Sequence, residues 1–152
     1  MKEKILVSAC LIGENCRYDG KNSLNKDVLA LTKYYDLIPI CPEVSGGLKT
    51  PRYPSEIKDG KVINSKGKDV TDNYNDGAYW ASTVARLQNI KLAILKEKSP
   101  SCGTHKIHDG SFSGKLIDGK GITTIKLEKA HIKVINEEEA SLLLKECEEK
   151  NK

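Results

Sequence analysis

The chain has 152 residues, the size of one domain with a substantial core, so a single domain over residues 1–152 is expected. Its 38% apolar and 30% charged residues are those of an ordinary soluble protein and argue against wholesale disorder. Lys and Arg outnumber Asp and Glu by 25 to 21 with the signs interspersed, which gives no footprint for nucleic acid, and no run nears the roughly 20 apolar residues of a membrane span.

The first apolar run, KILVSA at 4–9, is too short for a signal-peptide core, so the expected compartment is the cytoplasm. It reads as a strand, and so do DLIPIC at 36–41, KLAILK at 91–96 and IKVIN at 132–136. Each run is continuous rather than alternating, the pattern of strands covered on both faces of a parallel sheet. Helical periodicity fills the intervals. Residues 25–35 follow an Asn cap, and 71–89 open on Thr71 and Asp72 as caps, with Tyr74, Ala78, Ala81, Ala85 and Gln88 on one stripe. Residues 121–131 form a shorter candidate. Segment 136–150 begins with Asn136 and three acids suited to a helix N-terminus, and buries Ala140, Leu143, Leu144 and Cys147. Between the second and third strands, 51–68 is turn-rich and holds a small hairpin around Asp59-Gly60, while 109–121 is a glycine-rich loop. Strands alternating with helices predict an α/β fold: one Rossmann-like, three-layer domain with a central, mostly parallel sheet.

Five cysteines in a reducing compartment read as thiols, metal ligands or catalytic groups rather than a disulfide framework. Cys10 ends the first strand, Cys41 ends the second, and Cys102 follows the third. In an open parallel sheet the C-terminal strand ends share one edge, where ligands bind, so topology brings these three together. Cys16, in the loop after the first strand, is near enough to join them. Cys147 sits on a helix stripe and reads as a small core residue. No C-x-x-C is present, and Cys10 and Cys16 are six apart. Zinc, an iron–sulfur cluster and a catalytic dithiol all remain open on spacing, which leans toward the cluster.

Neighbouring residues add chemistry. In CPEVSGGLKTPR (41–52), Glu43 is a candidate acid or base, Arg52 lies close in sequence, and the Ser-Gly-Gly turn exposes backbone amides. SPSCG (99–103) sets hydroxyls at Ser99 and Ser101 beside Cys102. Arg17, Tyr18 and Asp19 read as a turn with a salt link. His105 and His108 are weak ligand candidates, His131 reads as structural, and Tyr79 and Trp80 read as helix packing. Neither a G-x-S-x-G elbow nor a phosphate-cradling motif occurs.

The ordered set VSACLIGENCRYDG, CPEVSGGLKTPR, DVT, AILKEKSPSCG and DGSFSGKLIDGKGIT closely resembles the bacterial thiouracil desulfidase family, over residues 7–124. The resemblance implies a 4Fe–4S cluster held by only three cysteines, with the fourth iron open to the sulfur of a thiolated base. It also implies a catalytic glutamate and serine, which fall on Glu43 and Ser101, and it makes Cys102 a cluster ligand. The strand-end positions favour Cys10 and Cys41 as the other two ligands, with Cys16 in reserve. The expected reaction is non-redox desulfidation of a small thiolated base such as 4-thiouracil or 2-thiouracil, giving uracil and hydrosulfide. A sulfur or iron–sulfur carrier, a structural zinc module and a desulfidase of thiolated nucleosides or tRNA are the rival readings. Monomer and homodimer are both compatible with the sequence.

Overall fold

A computed structural model of the chain describes residues 2–151. Four strands, β1 (Glu3–Ser8), β2 (Tyr35–Ile40), and two that follow later in the chain, form an all-parallel sheet. Helix α1 (Lys26–Ala30) lies between β1 and β2, and between β2 and the third of them come α2 (Pro42–Ser45), the hairpin β3 (Ser55–Lys58) and β4 (Lys61–Asn64), and the long α3 (Thr71–Leu87). The sheet is completed by β5 (Leu92–Ile94) and, after the hairpin β6 (Lys106–His108) and β7 (Leu116–Asp118) and helix α4 (Ile122–Lys129), by β8 (Lys133–Ile135). Helix α5 (Glu137–Lys150) closes the order. The sheet runs β2-β1-β5-β8, so the strand order reverses at β1.

The centre of the sheet follows from β1. Ile5, Leu6 and Val7 are wholly buried. Ile5 and Val7 face a cluster with Val28 and Leu31 near α1 and Ala140 and Leu144 of α5. Leu6 faces the opposite cluster with Ala81 and Ala85 of α3 and Leu127 of α4. Two helical layers thus sandwich the sheet, as expected of a parallel array. No helix among the described residues is long and apolar enough to cross a membrane.

Local expectations fare unevenly. Asn25 caps α1 by accepting from the Asp27 and Val28 amides, and Asn136 forms a capping box with Glu139 at α5. The Asp59-Gly60 turn joins β3 to β4, with φ of 51° and 77° at those residues. The helix expected over 25–35 is shorter: it tightens into a 3-10 turn at Leu31–Lys33, and Tyr35 already pairs with Glu3 of β1. Aromatic preference for the pleat and a ready edge prevail there over helical period. Strand β2 is an edge, only partly covered, and this is where Pro39, lacking an N–H, is tolerated. Thr71 does not cap α3; its Oγ1 accepts from the Val62 amide at 2.9 Å, so the hydroxyl ties α3 to β4 instead. Tyr79 and Trp80 are not packed but stand exposed on α3, and the Gly-rich segment from 109 lies between the strands of the β6–β7 hairpin.

Helices α2 and α3 meet backbone to backbone through two glycines. A Cβ on Gly77 would fall 1.9 Å from the Pro42 carbonyl oxygen, and one on Gly46 would fall 1.9 Å from that of Asn73. Asn73 Nδ2 also donates to the Gly46 carbonyl at 2.8 Å. Gly77→Ala is therefore expected to lower stability by roughly 1–3 kcal/mol, the usual penalty of overpacking. A urea-denaturation midpoint equal to that of the unsubstituted protein would count against this contact.

Candidate active site

A cleft of about 490 Å³ opens at the C-terminal edge of the sheet, beside the reversal at β1. Cys10 enters it from the 3-10 turn that follows β1, and Cys41 from the residue before α2. Cys102 enters from the loop after β5, and Cys16 from the loop after the first turn. The sequence thus names four of the thiols that line one cavity. Cys147 stays apart, buried on α5, with its Sγ donating to Tyr35 Oη at 3.8 Å.

All five cysteines are free. The Cys16 thiol is pushed up to about 11, first by the adjacent Cys10 thiol, with Cys41 working in the other direction. Cys41 is pushed well above the ordinary thiol value by Cys16 and then by burial. Burial pushes Cys102 up to about 12, and the Cys41 and Glu43 charges add to this, while the hydroxyls of Ser8 and Ser101 oppose it. Crowded, desolvated thiols of this kind ionise together only around a cationic centre.

Glu43 lies in the first turn of α2, behind Pro42, where the glycine contact with α3 fixes its height. Its Oε1 accepts from Arg52 Nε at 3.0 Å and from Tyr74 Oη at 2.8 Å. Its Oε2 accepts no hydrogen bond from the described residues. Burial would weaken the Arg52 charge, and the Glu43 carboxylate more than offsets it. Burial and the same carboxylate push the Tyr74 phenol well up, so it remains a donor. Arg52 Nη2 also donates to the Cys16 carbonyl at 2.9 Å, and Cys41 Sγ reaches that same oxygen at 3.7 Å. One guanidinium therefore joins the glutamate to the cysteine loop.

Ser101 is buried, its Oγ 2.8 Å from Thr123 Oγ1 and its hydroxyl beside the Cys102 thiol. It does not itself line the cleft, whereas Ser8 and Ser99 do. Ser99 Oγ accepts from the Ser101 and Cys102 amides at 3.0 Å each, which shapes the turn carrying the thiol. His108 lines the cleft from β6, and His105 instead pairs with Glu139 at 3.1 Å. Arg17 and Asp19 form the expected salt link at 3.5 Å. Arg52 and Tyr74 are the partners that sequence reasoning does not assign: in sequence the first is only a neighbour of Glu43, and the second only a position on a helix stripe.

The loop bearing Cys102 hangs on Glu97. Its Oε1 accepts from the amides of Lys98, Thr104, His105 and Lys106, and its Oε2 from Thr104 Oγ1 and Asn136 Nδ2. Burial opposes ionisation, but these donors hold the carboxyl well below the usual glutamate range. A carboxyl with a depressed folded pKa stabilises fully above its unfolded value and less as pH falls toward the folded one. The urea midpoint is accordingly expected to fall between about pH 5 and about pH 3, and Glu97→Gln, less stable at the outset, should lose less over that window. An identical acid profile for both proteins would remove Glu97 from this role.

The model of the 2-thiouracil desulfurase family matches residues 5–139. The chain belongs to that family. Among relatives of this desulfurase-family chain is the uncharacterised protein YbbK of Bacillus subtilis (strain 168), 40% identical over 92% of this chain and 99% of its own. A solved structure, the [4Fe-4S]-dependent thiouracil desulfidase TudS, is 42% identical and superposes with a TM-score of 0.87 over 95% of this chain and 99% of that one. The fold expected from the alternating elements, an α/β domain with a parallel sheet between helices, is thus the fold of this desulfidase. Among the described residues, no three His, Cys, Asp or Glu side chains converge as a single metal ion requires. The four thiols that line one cleft are soft donors of the kind an iron–sulfur cluster takes.

Proposed function

We propose that the protein is an iron–sulfur-dependent desulfidase that hydrolyses the C–S bond of a small thiolated base such as 4-thiouracil or 2-thiouracil. The observation that carries this reading is the meeting of Cys10, Cys41 and Cys102, from the segments that follow three parallel strands, with Glu43 in one cleft. These three thiols are the proposed ligands of a 4Fe–4S cluster, and Cys16 is the reserve. A cluster held by three side chains supplies an open, thiophilic iron for the exocyclic sulfur of the base.

The chain's own groups do the rest. Glu43 Oε2 takes the proton of the water that attacks the thione carbon. Arg52 and Tyr74, both on Oε1, hold the carboxylate in one orientation, and that leaves the second oxygen free for this task. The carbon gains oxygen from water, the C–S bond breaks, and sulfur departs as hydrosulfide with no net electron transfer. Ser101, buried next to Cys102 in sequence with its hydroxyl on Thr123, is the proposed assistant in proton transfer from behind the cleft wall.

Anaerobic reconstitution with iron and sulfide, followed by an assay of thione absorbance, tests the proposal. Loss of absorbance with release of uracil and sulfide is expected. A fully assembled cluster that leaves both thiouracils intact would point to a sulfur or cluster carrier instead.

A further inference from the structure

Glu56 is a carboxylate that the reaction above does not use, yet it is almost fully buried, with 8% of its surface exposed. Burying such a group is costly unless it is hydrogen-bonded. Its Oε1 accepts from the Gly110 amide at 3.0 Å and from the Phe112 amide at 3.1 Å. Glycine is required at 110, where φ is 96° and a Cβ would fall 2.8 Å from the Lys58 side chain. The loop between β6 and β7 is thereby pressed onto the β3–β4 hairpin.

The same clamp holds Phe112 at φ 57°, a left-handed conformation uncommon for a bulky residue. The strained, clamped residue is also an exposed aromatic: Phe112 lines the cleft with 41% of its surface open. A flexible surface loop would need neither the buried acid nor the strain. Tyr74, another ring on the cleft, is committed to Glu43, which leaves Phe112, Tyr18 and the smaller His108 imidazole as rings open to a ligand, and of these only Phe112 is clamped by a buried acid.

We propose that Phe112 is the stacking face for the flat thiolated ring of the substrate, and that Glu56 is the positioning residue that presets it. The assignment rests on the desulfidase reading and deepens it: the thione is oriented by a fixed aromatic wall before Glu43 acts. Base–aromatic stacking tolerates different ring substituents, because every base has a π-face, so this wall selects for planarity and leaves discrimination to the polar groups.

The test uses the cluster-loaded, full-length protein. Phe112→Leu should raise KM about 10-fold or more with kcat within about 3-fold, while Phe112→Trp should keep KM near its original value. Visible cluster absorption should be the same in all. Glu56→Ala should raise KM similarly, and adding it to Phe112→Leu should produce little further change. Equilibrium dialysis with 4-thiouracil reads the same contrast without turnover, so the stacking stands or falls on binding even where the unsubstituted protein proves inactive. Unchanged KM and binding in Phe112→Leu, a loss in Phe112→Trp equal to that in Phe112→Leu, or an effect confined to Tyr18→Leu would each overturn the assignment.

Discussion

After anaerobic reconstitution, Cys102→Ala is expected to hold little or no cluster, seen as loss of visible absorption and of stoichiometric iron and sulfide. The residue is buried, 5% exposed, in the cluster of side chains shared by α3, α4 and the sheet. Alanine at this position removes one sulfur and leaves a small void, costing about 1 kcal/mol, so the chain should stay folded. Iron loss without unfolding is then the signature of a ligand. Cys147→Ala provides the contrast, because that thiol is packed in the core on α5 against Tyr35, outside the cleft, and its removal should leave iron content unchanged. Cys16→Ala separates the proposed ligands from the reserve: it keeps the cluster if Cys10, Cys41 and Cys102 suffice. A Cys102→Ala protein with full iron and sulfide would displace this residue from the ligand set.

The second large effect concerns Glu43. Glu43→Gln is expected to keep the cluster's absorption and to lower kcat by about 100- to 10,000-fold, the usual contribution of a positioned base. Glutamine is the informative change. It still offers an oxygen to Arg52 and Tyr74, whereas alanine would strand the guanidinium, whose side chain is only 9% exposed. Stopped turnover with an intact fold and cluster isolates proton transfer from architecture. Turnover near the original rate would falsify the assignment of Glu43 as base.

The main frame was legible because it depends on local pattern. Continuous apolar runs such as KILV and LAIL mark covered strands, and Cys10 and Cys41 follow their strands within two residues, so parallel topology alone takes them to one edge. Asn25 and Asn136 announced helix starts for the same reason, since a cap is a local hydrogen bond. The support of Glu43 was not legible. Tyr74 lies on a stripe that would look the same in any packed helix, and its hydroxyl meets Glu43 only because Gly46 and Gly77 let two backbones touch. Glu97 and Glu56 are silent as well: Glu97 gathers the amides of the irregular loop that follows it together with the remote Asn136 side chain, Glu56 holds amides of a segment far along the chain, and nothing in their immediate neighbours records that. Trp80 misled because a large ring on a helix is usually covered, and here it is open.

The reversal of strand order at β1 gives the centre a divided origin. Residues before the long helix contribute Cys10, Cys16, Cys41, Glu43 and Arg52, and residues from that helix onward contribute Tyr74, Cys102 and Phe112. Reactivity is then a property of how two stretches of chain meet across one continuous sheet, not of either stretch alone. Natural variation can retune substrate choice by repacking one stretch against the other, through changes remote from the chemistry, while every reacting group is inherited intact.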